Sequence, residues 1–237
     1  MHVAELWRFP VKSLAGERLE RVDIRDRGIP GDRLVWVCGP EGVRTARRYH
    51  RLLGLRGTLG PSGVPLIDGY PWQSPHALEL VRQAAGDDAW LEPADEEDRF
   101  DILPLLVATD GAIAAFGRDG RRLRPNIVVS GVPGLEEFDW PGSVLEIGDA
   151  RIHLHSRRGR CPMTTVDPDT LEVDPEVLKD IGRRFNGRLA LNAAVLAPGA
   201  ISLGDSVRLE SPFSRRTLPR GVAMNGSRAG EVRNAST

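Results

Sequence analysis

Apolar residues come in short runs cut by glycine and proline, a pattern that predicts a chain built mostly of strands joined by turns. Runs with strand character lie at 3–9, 19–24, 33–38, 52–59, 126–130, 143–148, 150–156, 189–196 and 206–210. The clearest is ARIHLHS, 150–156, where Ile152 and Leu154 alternate with His153 and His155 at the period of a half-buried strand. Gly148-Asp149 and Gly204-Asp205 stand between such runs and predict tight turns. Helical signals are fewer. VDPEVLKDIGRRF offers Asp174 as an N-cap, Pro175 at the first helical position and arginines in the last turn. ATDGAIAAFGRDG puts a Thr109-Asp110 cap before a helix that stops at glycine, and 75–85 forms a third helix.

These elements predict an α+β protein, mainly β. The segment 86–99 is acidic and interrupted by proline, so it reads as a loop between two halves, 1–85 and 100–210. Residues 211–237 hold few apolar side chains and no sustained period, the signature of a disordered tail.

Composition narrows the class. With 41% hydrophobic and 27% charged residues over 237 positions, the chain has the usage of a globular protein with a core. No run of about 18 apolar residues and no secretory n- and h-region is present, so the expectation is a cytoplasmic protein without a membrane span. A net charge of −1, from 32 basic and 33 acidic residues, argues against a nucleic-acid-binding surface. Two cysteines, Cys38 and Cys161, make neither a disulfide framework nor a C-x-x-C metal pair. Cys38 ends the apolar run LVWVC and reads as a small buried hydrophobe. Cys161 differs: it follows Arg157, Arg158 and Arg160, and neighbouring positive charge favours the thiolate, the form that attacks and ligates. His153 and His155 have no third ligand at motif spacing and read as strand surface. Trp7, Trp36 and Trp140 are far apart and read as packing aromatics.

Six motifs occur in order: VAELWRFPVKS at the start, GDR at 31–33, RTARR at 44–48, RLRPNIVVSG at 122–131, RCPMTTVDPDT at 160–170 and PGAISLGDSV at 198–207. Together they resemble the MOSC family, in the version with an N-terminal β-barrel half that includes amidoxime-reducing components. The resemblance implies two β-barrel-like halves with a molybdenum cofactor (Mo-molybdopterin) between them, and Cys161 as the protein ligand of the molybdenum. A thiolate is a soft ligand suited to such a metal, and the cofactor's phosphate needs cations to neutralise it. The family's cofactor-contacting positions fall on Lys12 and Ser13 (PVKS), Arg47 (TAR), and Arg124 and Asn126 (RPN). Thr109 and Asp110 match its T-D pair at a helix start, and Arg160, Thr164 and Thr165 belong to the cysteine motif. Plainer readings stand beside these: Lys12 solvated, Arg47 part of a surface run with Arg44 and Arg48, Arg124 paired with the acidic residues at 95–98, Asn126 bonding local backbone.

The implied reaction is a two-electron reduction of an N-oxygenated substrate, a hydroxylamine or amidoxime. No C-x4-C-x2-C spacing is present for a [2Fe–2S] centre, so electrons are expected from a separate donor protein of ferredoxin, flavodoxin or cytochrome type. The alternative is a non-catalytic cofactor carrier or sulfur-transfer module in which Cys161 holds sulfur as a persulfide.

Overall fold

The computed structural model describes residues 1–211, so the expectation for the tail lies almost wholly outside the described residues. The fold is α+β and mainly β. Its centre is an eight-stranded sheet in the order Arg208–Glu210, Val144–Ile147, Ala150–Gly159, Arg188–Ala197, Leu105–Thr109, Ile127–Ser130, His2–Arg8, Glu17–Leu19. All neighbours are antiparallel except Leu105–Thr109 beside Ile127–Ser130. That parallel pair needs a crossover, which the helix Asp110–Phe116 supplies. Leu105–Thr109 escapes the alternation test because a sheet strand buried on both faces reads as one continuous apolar run.

Small sheets complete the chain: Gly42–Val43, Val35–Gly39 and Trp90–Pro93; Gly57–Leu59, Pro65–Ile67 and Tyr70–Pro71; and Gly199–Ser202 with Arg21–Ile24. Each strand order is open, so the halves are sheets that wrap a core rather than closed barrels. The acidic segment is not all loop, since Trp90–Pro93 pairs with Val35–Gly39. The run 52–59 is not one strand either: His50–Gly54 is a 3-10 turn that buries Leu52, and pairing begins at Gly57.

The first residues fold away from their sequence neighbours. His2–Arg8 and Arg21–Ile24 pair with Ile127–Ser130 and Gly199–Ser202, and Val3, Leu6, Val22 and Ile24 enter the core of the large sheet. A second core, around Val35, Val37, Leu52, Ile67 and Val81, belongs to the intervening chain and the helix Pro75–Ala85. The chain therefore crosses between the two cores near Phe9–Ser13, where Lys12 donates its backbone N–H to Val35 at 2.9 Å. The three expected helices are present, with the caps expected at Thr109 and Asp174. Ser74 accepts from Ala77, Thr109 from Ala112 and Asp174 from Glu176, and Pro175 opens the helix Pro175–Phe185.

Candidate functional site

Where the two cores meet, a cleft collects Lys12, Ser13, Arg33, Arg47, Asp101, Arg124, Asn126, Arg158, Arg160 and Cys161. Seven of these were singled out from the sequence. Strand periodicity explains part of the convergence: in Ala150–Gly159 and the residue beyond it, Arg158 and Arg160 point into the cleft while Arg157 lies over the Phe138 ring, 4.8 Å from its centroid. Cys161 follows just beyond the strand's end, at the N-cap position of a 3-10 turn, Pro162–Thr165. Its carbonyl accepts from the Thr164 backbone at 3.0 Å and from the Thr164 hydroxyl at 2.9 Å. The Thr165 hydroxyl donates to Pro162 at 2.7 Å, so the two threonines hold the shape of the turn and leave the half-exposed thiol free to face the cleft.

Asp101 is the hub. Its carboxylate receives Lys12 at 2.9 Å, Arg47 at 2.9 Å and Arg158 at 3.0 Å. Burial works against its ionisation, but the Lys12 hydrogen bond and the charges of Lys12, Arg47 and Arg158 outweigh it and hold the carboxyl at about 2. Read as the edge of an acidic loop, Asp101 gives no sequence signal, because its partners lie far away along the chain. Arg33 was likewise visible only inside GDR. Asp32 of that motif is wholly buried; it accepts from Phe9 N at 2.6 Å and Asn126 Nδ2 at 3.3 Å and pairs with Arg33.

Asn126 thus bonds more than local backbone. Its Oδ1 accepts from Leu106 N at 3.1 Å and its Nδ2 donates to Trp7 O at 3.3 Å, tying three strands together behind the cleft. Of the seven non-glycine residues with left-handed backbone among the described residues, Ser13, Arg33 and Arg124 line this one cleft. Strained backbone of that kind clusters at functional sites.

The cations outnumber their partners. Arg124 forms no ion pair with the acidic residues at 95–98 or elsewhere among the described residues, and lies over the Phe9 ring at 4.2 Å. Burial first, then the like charge of Arg33, draws it down to about 9. Burial draws Arg160 to about 10; its Nη2 donates to Leu123 O at 2.8 Å, while its Nε and Nη1 are buried with no partner. Orphaned guanidinium donors in a cationic cleft fit an anion.

Thr109 and Asp110 are not brought to the cleft. Thr109 is wholly buried, bonding Glu137 through its hydroxyl at 2.8 Å and capping the helix. The Asp110 carboxylate accepts from the backbone N–H groups of Gly111, Gly131 and Val132, so it and the Gly111 donor are spent within the fold. Arg44, expected on the surface with Arg47, is buried against Glu41 and Asp88. Among the described residues, no three His, Cys, Asp or Glu side chains gather to hold a metal, and no helix is long and apolar enough to cross a membrane.

Residues 1–88 match the model of the MOSC N-terminal beta barrel domain, and residues 113–208 that of the MOSC domain. The chain is 26% identical to mitochondrial amidoxime-reducing component 1 of Homo sapiens, over 87% of this chain and 82% of that protein. It is 28% identical to the molybdenum cofactor sulfurase of Anopheles gambiae, over 89% of this chain and 22% of that much longer protein. The crystal structure of the YuaD protein from Bacillus subtilis shares the fold, with a TM-score of 0.50 and 16% identity over 89% of this chain and 95% of that one. Both domain models are matched in chain order, and the chain belongs to the family of MOSC proteins that carry a MOSC N-terminal beta barrel domain.

Proposed function

We propose that this protein is a molybdenum-cofactor-dependent oxidoreductase that reduces N-oxygenated compounds, hydroxylamines and amidoximes among them, with electrons from a separate donor protein of ferredoxin, flavodoxin or cytochrome type. One observation carries the reading: a half-exposed thiol opens onto a cleft whose buried arginines keep unsatisfied donors. It is supported by the names of the relatives, an amidoxime-reducing component and a molybdenum cofactor sulfurase.

The residues fit that cofactor. A single soft thiolate, Cys161, suits a metal that brings its other ligands with it, and the lack of a protein-only ligand cluster among the described residues agrees with that division. Arg124, Arg160, Arg33 and Lys12 would hold the phosphate, and Ser13 would border it. When bound, the cofactor supplies the two-electron chemistry; overall, R–NH–OH, two electrons and two protons give R–NH2 and water. The chain's own part is to seat and orient. Asp101, ionised down to about pH 2, serves as a fixed anion that aligns Lys12, Arg47 and Arg158 rather than as a proton donor. Thr164 and Thr165 fix the turn that aims the thiol.

A second reading, sulfur transfer or cofactor carriage through a persulfide on Cys161, is favoured by the likeness to the sulfurase over most of this chain. The two separate cleanly. Protein produced in a host that makes molybdopterin is analysed for molybdenum, then given reduced viologen and benzamidoxime. One molybdenum per chain with many turnovers supports the reductase; a single stoichiometric event supports the carrier, and no molybdenum overturns the reductase and cofactor carriage and leaves sulfur transfer.

A further inference from the structure

Behind Phe9 lies a larger space, a cavity of about 650 Å³ between the outer face of the large sheet and the residues around Leu53. Trp7, Phe9, Leu53, Ile113, Met163 and Val166 make its walls, and it shares Arg122, Arg124 and Met163 with the thiol cleft. The two spaces therefore meet end to end at the cysteine turn. Gly16 keeps the Phe9 wall in place: a Cβ there would sit 2.5 Å from the Phe9 ring and 2.4 Å from the Arg8 carbonyl. Such a volume, apolar with a few polar groups at the edge, is the size that takes a small organic ligand.

Charge at the rim selects among such ligands. The two carboxylates on the lining are already engaged, Glu5 by Trp7 Nε1 at 2.7 Å and Asp119 by Arg121 at 2.6 Å. Arg121 and Arg122 are engaged as well, with Asp169 and Asp167. Arg18 and Arg56 form no ion pair among the described residues; the Arg18 guanidinium makes one long contact, 3.5 Å to Ala4 O, and Arg56 bonds only through its backbone, its N–H donating to Asp68 Oδ1 at 2.7 Å and its carbonyl accepting from Asp68 N at 2.9 Å. Aromatic walls with spare guanidinium groups at the mouth suit a flat ring that carries a carboxylate.

We propose that this cavity binds an aryl carboxylate. Resting on the reductase reading, it takes the body of the substrate, an N-hydroxylated arene acid whose N–O group reaches past Met163 into the thiol cleft. The ring lies among Trp7, Phe9 and Ile113, and the carboxylate pairs with Arg56 or Arg18 at the mouth.

Calorimetric titration of the cofactor-loaded protein with 2-naphthoate tests the cavity without any turnover. One saturable site is expected, with 2-naphthalenemethanol about tenfold weaker for want of the charge. Arg56→Gln, an exposed position with no fold to lose, should weaken naphthoate about fivefold, and Ile113→Trp, which fills the space, should abolish it with the melting temperature checked alongside. Absence of saturable binding overturns the proposal. So does binding that ignores both variants and disappears in Lys12→Ala, which would put the ligand in the thiol cleft. Turnover then addresses the substrate: 4-carboxybenzamidoxime should show a lower KM than benzamidoxime, and Arg56→Gln should raise that KM with kcat kept. If naphthoate binds as expected but neither amidoxime is reduced, the cavity stands and the reductase reading falls.

Discussion

The protein contains two pairings of a cysteine with a buried arginine, and they are built to opposite ends. In the small core, Arg44 is saturated: it donates to Asp88 at 2.7 Å, to Glu41 at 3.1 Å and to the Ala85 carbonyl at 2.8 Å, and its guanidinium lies over Tyr49. The bonds to Asp88 and Glu41 hold it above the ordinary arginine range. Nearby Cys38 donates to Glu92 at 3.0 Å, and burial, with the bond and charge of Glu92 added, pushes its thiol up to about 12. In the cleft, Arg160 keeps two donors idle and Arg124 has no carboxylate, while Cys161 is half-exposed among cations. A satisfied arginine stabilises the fold; an unsatisfied one stores a binding free energy that only a ligand releases.

The sharpest way to break the contrast is to exchange each thiol. Cys161→Ala should lower viologen-driven amidoxime turnover by at least about a hundredfold while the fold persists, because metal ligation and its tuning are lost. Full turnover at normal molybdenum content would end the ligand assignment. Next in size, Arg44→Met should cost about 2 kcal/mol in denaturant unfolding, since the buried bonds to a charged group go. Arg160→Met should change stability by less than about 1 kcal/mol, having only one bond to lose, and should instead empty the protein of molybdenum. Equal stability losses in the two variants would show that the cleft arginine is structural after all.

Cys38→Ala follows, at about 1 kcal/mol of stability with turnover per folded molecule unchanged. Alkylation should mirror it: iodoacetamide, read by peptide mass mapping on cofactor-free protein, should label half-exposed Cys161 well before buried Cys38. The smallest effect is the acid dependence of Asp101. Its folded pKa, about 2, lies below its ordinary 3.8, so its contribution is present above pH 3.8 and is lost as pH falls towards 2. In Asp101→Asn that portion of the acid destabilisation should be missing from thermal melts, and a profile identical to the parent's would mean that the three cations do not depend on it.

Much of the site was legible one motif at a time. Lys12, Ser13, Arg47, Arg124, Asn126, Arg160 and Cys161 sit in local patterns that stay recognisable whatever the rest of the chain does, and all seven reach the cleft. Thr109-Asp110 shows the limit of that approach. The pair caps a helix in sequence and in space, but Glu137 and the Gly131 and Val132 backbone use up its hydrogen bonds, and nothing near residue 109 in the sequence announces them.

By itself the sequence determined what depends on a few consecutive residues: the caps at Thr109 and Asp174, the alternation of Ile152 and Leu154 with His153, and the choice of Cys161 over Cys38 as the thiol with cationic neighbours. Tertiary structure decided which charges are spent. Asp101 reaches Lys12, Arg47 and Arg158, Asn126 reaches Trp7 across 119 positions, and the first strand leaves its own half to join the large sheet. Caps and periodicities are satisfied within one turn or one strand and so are written locally. Whether a buried donor finds an acceptor depends on which distant segments the closed core brings within about 3 Å of it, and for the Nε and Nη1 of Arg160 the fold brings none.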